Sequence, residues 1–248
     1  MRLVALSDIH IRQAGDSGAK CLEQFFRHPL TQGSTHVALL GDIFDLVAGN
    51  HAEYLMRWSS VFDQLKSFCE SGKTVYFAEG NHDMHLERLF ESVSKTWAPE
   101  SARRLIVIPT ELRITLNELT VLLSHGDEYN QEDTTYLKYK RFIKRPSLRF
   151  VADYIMPLSV LDYLGNKASK KSRAYGERTF NEAEVRDKFR RGVSALVAPD
   201  VDVVVGGHSH VVDHWQNGQT TYLNNGYPPK SKVFVVVDEA GARLEALS

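Results

Sequence analysis

Five short clusters of the chain combine carboxylate, carboxamide and imidazole side chains: Asp8-Ile9-His10, Gly41-Asp42, Gly80-Asn81-His82-Asp83, His125-Gly126-Asp127 and Gly206-Gly207-His208-Ser209-His210. Asp8 and His10 stand at i and i+2, as do His208 and His210, a spacing that lets both side chains at a strand end turn toward one ion. Oxygen and imidazole donors without a thiolate suit a pair of divalent ions such as manganese, iron, zinc or cobalt, and the oxygen-rich set leans toward manganese. Two such ions about 3.5–4 Å apart activate water near neutral pH and offset charge on phosphoryl oxygens. Taken singly, each cluster has an ordinary explanation, since Gly-Asp is a common turn and Gly-His-Ser-His can be a solvated loop. Five in order, each directly after an apolar run, do not. Half of the ten histidines fall in these clusters; His28, His36, His51, His85 and His214 are read as surface or helix residues without a role.

The elements that must position these clusters follow from the apolar runs. Leu3 to Leu6, His36 to Leu40, Thr74 to Ala78, Leu105 to Ile108, Leu119 to Leu123, Val201 to Val205, Thr220 to Leu223 and Val233 to Val237 read as buried strands. Helical patterns at Lys20 to His28 and His51 to Ser71 separate the early strands, the second closing on Gly72, so the fold class is α/β. In such sheets ligands bind beyond the carboxyl ends of the strands, where loops converge on one point. Glycines at 41, 80, 126, 206 and 207 fit turns at which backbone approaches that point closely. From Leu105 strands follow one another, with Asn117-Glu118 as a hairpin tip. Two packed sheets with helices outside satisfy both halves. Residues 134–196 contain no strand pattern and read as several helices broken at Pro146, Pro157 and Gly165, a helical insertion within a single domain of residues 1–248.

A formal charge of -1 gives no global pull toward nucleic acid or membrane. Cys21 and Cys69 lie far apart and read as core thiols in a reducing compartment. The chain opens directly on a strand-like run and no apolar stretch is long enough to span a bilayer, so the expected location is cytoplasmic. One local patch is basic: Lys138, Lys140, Arg141, Lys144, Arg145 and Arg149 interleave with Tyr139, Phe142, Ile143, Leu148 and Phe150. Such a segment fits the anionic inner face of a cell membrane, and its aliphatic character fits a nucleic-acid groove less well.

The motif order Asp-x-His, Gly-Asp, Gly-Asn-His-Asp, His-Gly-Asp, Gly-His-x-His resembles the calcineurin-like metallophosphoesterases over residues 3 to about 240. The resemblance implies a four-layer αββα sandwich with a dinuclear centre. By motif, Asp8, His10 and His210 would hold one ion, Asn81, His125 and His208 the other, and Asp42 would bridge them. His82 would be the catalytic acid, with Asp83 orienting it; Asp127 and Asp45 would be hydrogen-bonding supports. The 134–196 segment is similar to the lid of the branch that hydrolyses UDP-2,3-diacylglucosamine to UMP and a diacylated sugar phosphate in lipid A biosynthesis, although that branch commonly carries Arg where this chain has His82. On that resemblance Tyr136, Ser169, Lys170 and Arg173 would contact a nucleotide-sugar lipid. The alternatives are a phosphoesterase for another nucleotide diphosphate, phosphodiester or phosphoprotein and, more remotely, a metal-free protein-binding scaffold.

Overall fold

In the computed structural model the described residues are 1–163, 165, 167 and 180–247. Alternation along the strands sorts the apolar side chains into layers. In β1 (Leu3–Leu6) and β2 (His36–Leu40), Val4, Leu6, Val37 and Leu39 face one way, toward Cys21, Leu22 and Phe25 of helix Ser17–Arg27 and Phe62, Leu65 and Phe68 of helix Ser59–Glu70. Leu3, Ala5, Ala38 and Leu40 face the other way, onto a second sheet. That period of two makes each strand a partition between two cores.

The first sheet has the order β13-β12-β1-β2-β4-β6, with β4 (Thr74–Ala78), β6 (Leu105–Ile108), β12 (Val233–Asp238) and β13 (Gly241–Ala246). Its β1, β2, β4 and β6 run parallel, and β12 and β13 close the edge antiparallel. The second sheet has the order β10-β11-β9-β8-β7, built from β7 (Glu111–Leu116), β8 (Leu119–Ser124), β9 (Val203–Gly206), β10 (Val212–Asn217) and β11 (Thr220–Asn225). Here β8, β9 and β11 are parallel. Val121, Leu123, Val203, Val205 and Leu223 fill the space between the sheets, while Leu122, Val204 and Tyr222 face Phe189 and Val193 of helix Glu182–Leu196. The layers are therefore helix, sheet, sheet, helix, as the motif pattern implied. A two-stranded sheet of β3 (Val47–Ala48) and β5 (Asp83–Met84) joins the loops after β2 and β4.

Asn117 and Glu118 form the tip between β7 and β8, both at positive φ, the geometry of a tight two-residue hairpin. Besides the two-residue β3 and β5, three strands escape the apolar pattern: β7, β10 and β13 are edge strands, and sequences such as Glu-Leu-Arg-Ile-Thr-Leu alternate rather than run apolar. The pattern over His51 to Ser71 is two helices, Ala52–Arg57 and Ser59–Glu70, meeting at Trp58. Between β8 and β9 the described elements are helical, including Thr134–Ile143, Pro146–Tyr154 and Glu182–Leu196. Breaks fall at Pro146 and Pro157, but Gly165 is itself helical and leaves no room for a Cβ against Leu46.

Two histidines read as role-free mount these helices. His85, at φ +59, donates Nε2–H to the Ile143 carbonyl at 3.0 Å, and His51 Nε2 donates to the Ala152 carbonyl at 3.0 Å. Both satisfy carbonyls at or near a helix C-terminus, where positive or donor groups are favoured.

Candidate metal centre

All five clusters follow strands that run in one direction within their sheets: β1, β2 and β4 in the first, β8 and β9 in the second. Their carboxyl ends meet along one edge of the sandwich. There Asp8, His10, Asp42, His208 and His210 all adopt left-handed backbone, with φ between +48° and +64°. Each such residue costs about 1–2 kcal/mol and persists only where the surroundings over-determine it. Here the loops hold one another. Asp8 N–H donates to the Gly41 carbonyl (3.1 Å), His10 N–H to that of Asp42 (3.0 Å) and Gly207 N–H to that of His125 (2.8 Å). His208 N–H donates to the Asp8 carboxylate at 2.9 Å. A Cβ on Gly80 would collide with the Asp42 carboxylate, and one on Gly207 with Asp8 and Ser7, so only glycine allows these approaches.

The side chains converge in two groups that share Asp42. One comprises Asp8, His10, Asp42 and His210; the other Asp42, His125 and His208. In the first, the Nε2 atoms of His10 and His210 face each other at 3.1 Å, His210 Nε2 lies 3.4 Å from Asp8, and His10 Nε2 lies 3.7 Å from Asp42. In the second, the Asn81 carboxamide oxygen sits 2.9 Å from His208 Nδ1 and 3.2 Å from His125 Nε2, and the two imidazole nitrogens are 3.2 Å apart. Acceptor atoms crowded this closely, mostly buried, lack enough protons to satisfy one another and fit cations between them. His125 Nδ1 donates to the Leu40 carbonyl at 2.9 Å, which directs its Nε2 lone pair into the group. The donor set thus fits divalent ions at both groups.

The electrostatics differ among the imidazoles. Burial lowers His10 and His208 to about 4, keeping both imidazoles neutral and able to donate a lone pair. Burial would also lower His125, but Asp42, Asp8 and Asp127 overcome it and raise the group to about 9. Burial opposes ionisation of Asp42, yet His125, His82, His10 and His208 hold its carboxyl below the usual range.

Other predicted residues take up supporting positions. His82 Nδ1 donates to the Asp45 carbonyl at 2.8 Å and its ring meets His10 edge-on with centroids 4.8 Å apart. Asp83 does not orient that imidazole as expected. Its buried carboxylate instead accepts backbone N–H groups from Asp42, Gly80, Ile43 and Phe44, because the chain after Gly80 folds back under the Asp42 loop. Asp127 accepts from the Tyr136 hydroxyl and the Lys140 ammonium, both at 2.6 Å, so it anchors helix Thr134–Ile143. The Tyr136 ring lies 5.3 Å from that of His208. Ser169, Lys170 and Arg173 lie outside the described residues. The basic segment is less basic in space than in sequence: Lys140 is buried against Asp127 and Glu128, Lys144 donates to the Pro109 carbonyl, and Arg149 pairs with Glu87 at 2.6 Å. Lys138, Arg141 and Arg145 remain exposed.

One cluster escaped the sequence reading. Asn224 and Asn225 end β11 as the five clusters end their strands. Asn225 Oδ1 accepts from Ser7 N–H at 3.0 Å, Ser7 Oγ reaches Asp8 at 2.5 Å, and Asn224 donates to the Gly207 carbonyl at 2.7 Å. The signal was present as Asn-Asn-Gly after an apolar run, but without a carboxylate or histidine it did not suggest a metal.

The description "calcineurin-like phosphoesterase" belongs to the family profile that matches residues 1–212. The chain belongs to that family. This phosphoesterase is similar to the UDP-2,3-diacylglucosamine hydrolase of Haemophilus influenzae (strain PittGG), 24% identical with 95% of this chain and 94% of the relative covered. It is also similar to the hydrolase of that name from Yersinia pestis bv. Antiqua (strain Angola), 28% identical over 75% of this chain and 73% of the relative. Among solved structures, an archaeal phosphodiesterase aligns over 99% of both chains at 14% identity with a TM-score of 0.47. The phosphoesterase is a metal-dependent hydrolase, and no helix among its described residues is long and apolar enough to cross a membrane.

Proposed function

We propose that this phosphoesterase hydrolyses the pyrophosphate bond of UDP-2,3-diacylglucosamine, giving UMP and 2,3-diacylglucosamine 1-phosphate. The observation that carries the reading is the pair of donor groups sharing Asp42 at the strand ends; the relatives named for this substrate narrow it. Asp8, His10 and His210 would hold one divalent ion, Asn81, His125 and His208 the other, with Asp42 between them. Bound there, two ions, manganese by preference, would activate water and offset phosphoryl charge. The residues supply the rest: His82 Nε2 steadies a phosphoryl oxygen or protonates the departing oxygen, and Asp45 fixes the imidazole through its carbonyl. Water adds to the UMP-side phosphorus, and the diacylglucosamine 1-phosphate leaves.

The helices of the 134–196 insertion would act as a lid for the acyl chains. Support comes from an exposed apolar surface on them, with Phe142, Phe150, Tyr154, Ile155 and Tyr163 each about half exposed or more. Such a surface beside Lys138, Arg141 and Arg145 suits an anionic bilayer at the inner face of the membrane, in a cytoplasmic protein without nucleic-acid partners. Tyr136 borders the second donor group and would meet the diphosphate or sugar, with Ser169, Lys170 and Arg173 as further proposed contacts.

The decisive experiment is manganese-dependent release of UMP from UDP-2,3-diacylglucosamine, with Asp42→Ala as control. Release that disappears in the control supports both chemistry and substrate. Cleavage of a bis-aryl phosphate without UMP release leaves another nucleotide diphosphate, phosphodiester or phosphoprotein as substrate. A second reading of that kind has one observation in its favour, His82 in place of the arginine of the lipid A branch. A well-folded protein that binds no metal would point to a scaffold.

A further inference from the structure

A nucleoside diphosphate linked to a second group has two arms leaving its phosphates, and the donor cluster has an aromatic ring at each group. Tyr136 borders His208 of the second group, but its hydroxyl is committed to Asp127 and its helix belongs to the apolar surface. Tyr227 borders the first group. Its ring stacks on that of His210 at 5.5 Å with an interplanar angle of 22°, and lies 6.3 Å from that of His10. Tyr227 is half-buried, and among the described residues nothing hydrogen-bonds its hydroxyl.

The backbone that carries the ring is held by a hydrogen-bonded turn. Gly226, at φ +68, turns the chain out of β11, and the Tyr227 carbonyl accepts from Lys230 and Ser231, both at 2.8 Å. Ser231 Oγ donates to the Asn225 carbonyl at 2.7 Å, so the same turn that braces Asp8 presents Tyr227. On this side stands the exposed Arg12 guanidinium, paired with Asp45 at 3.4 Å, with the Asp16 carboxylate also near Tyr227. A half-buried aromatic ring carried on a hydrogen-bonded turn, beside an arginine and the donor cluster, is what a planar base attached to phosphate requires.

We infer that Tyr227 is a stacking platform for the base of a nucleoside-phosphate arm, and so a specificity-determining residue; the inference rests on the proposed cleavage of a nucleotide diphosphate. The two arms then part by chemistry, the base over Tyr227 and the apolar arm toward the helices beside Tyr136.

Calorimetric binding of UMP and ribose 5-phosphate to the manganese-loaded protein tests this, because the two ligands differ only in the base. The wild type is expected to favour UMP about tenfold, the ratio to fall to about one in Tyr227→Ala, and to stay within about threefold of wild type in Tyr227→Phe, which keeps the ring. An unchanged ratio in Tyr227→Ala overturns the inference. So does an equal weakening of both ligands, the signature of a residue that merely positions His210. A collapsed ratio without UMP release from UDP-2,3-diacylglucosamine by the wild type discards the lipid substrate and keeps the platform; release with an unchanged ratio does the reverse.

Discussion

The buried carboxylate of Asp83 accepts the backbone N–H of Asp42 at 2.9 Å, tying the loop after β4 to the residue shared by both donor groups. Both carboxylate oxygens face N–H groups: Oδ1 meets Asp42 and Gly80, Oδ2 meets Ile43 and Phe44. Neither side can therefore host an NH2 group. Asp83→Asn should cost about 2–4 kcal/mol of stability and weaken divalent-metal binding by about 10–100-fold, read by thermal melting and by metal titration. Wild-type metal affinity in this variant would show that Asp83 braces the fold alone.

His82 touches the site through its ring while its backbone N–H donates to Asp42 at 2.9 Å. His82→Ala keeps that backbone bond, so bound metal should stay at two ions per chain while turnover falls about 10²–10⁴-fold. Elemental analysis beside steady-state kinetics separates the two effects, and unchanged turnover would remove His82 from the mechanism.

Lys140 is buried between Asp127 and Glu128. Its loss in Lys140→Ala leaves the Asp127 carboxylate with the Tyr136 hydroxyl as hydrogen-bond donor and His125 and His208 as neighbouring imidazoles, an expected cost of about 3 kcal/mol. Denaturant melts should show the double variant Lys140→Met with Asp127→Asn recovering part of that loss. A single variant as stable as wild type would mean the helix is held elsewhere, for example by His85.

At the far edge, Asp238 receives hydrogen bonds from Arg243 and Arg2 that, against a smaller opposing effect of burial, lower its carboxyl to about 2. A depressed acid stabilises the fold above its unfolded value near 4 and loses that contribution as pH falls through about 2. Asp238→Asn should therefore cost about 1 kcal/mol at neutral pH, screening by solvent included, a gap that shrinks below about pH 4 and closes only below about pH 2. Urea melts across that range test the convergence; a constant gap would assign the cost to packing.

If the helical surface meets lipid, Phe150→Ser with Tyr154→Ser should reduce co-sedimentation with phosphatidylglycerol vesicles several-fold while leaving bis-aryl phosphate cleavage in place. Equal sedimentation of variant and wild type would remove this surface from membrane contact.

Much of the centre was legible because its signal is local. A polar cluster directly after an apolar run specifies both a side-chain type and a place at a strand end, and the five clusters needed only a parallel arrangement to meet. What was not legible depends on contacts distant in the chain. Asp83 sits beside His82 in sequence, yet three of its four partners lie some 40 residues back, at Asp42 to Phe44. Lys140, Lys144 and Arg149 read as one charged face, but each finds a different buried or surface partner once the helices pack. The edge strands β7 and β10 expose alternate residues to water, so their composition is that of loops as much as of strands.

The loops bearing the donor residues are tied to one another by backbone bonds, Asp8 to Gly41, His10 to Asp42 and Gly207 to His125, and the Asn225 carboxamide holds the Ser7 N–H beside them. A centre of that construction keeps its shape when stripped, unlike small domains whose ions are their core. Uptake of an ion is then limited by shedding its hydration shell and by small rotations of imidazole, not by refolding of the chain. Chelation should be reversible on mixing, and the enzyme's activity should follow the free-metal concentration around it promptly in both directions.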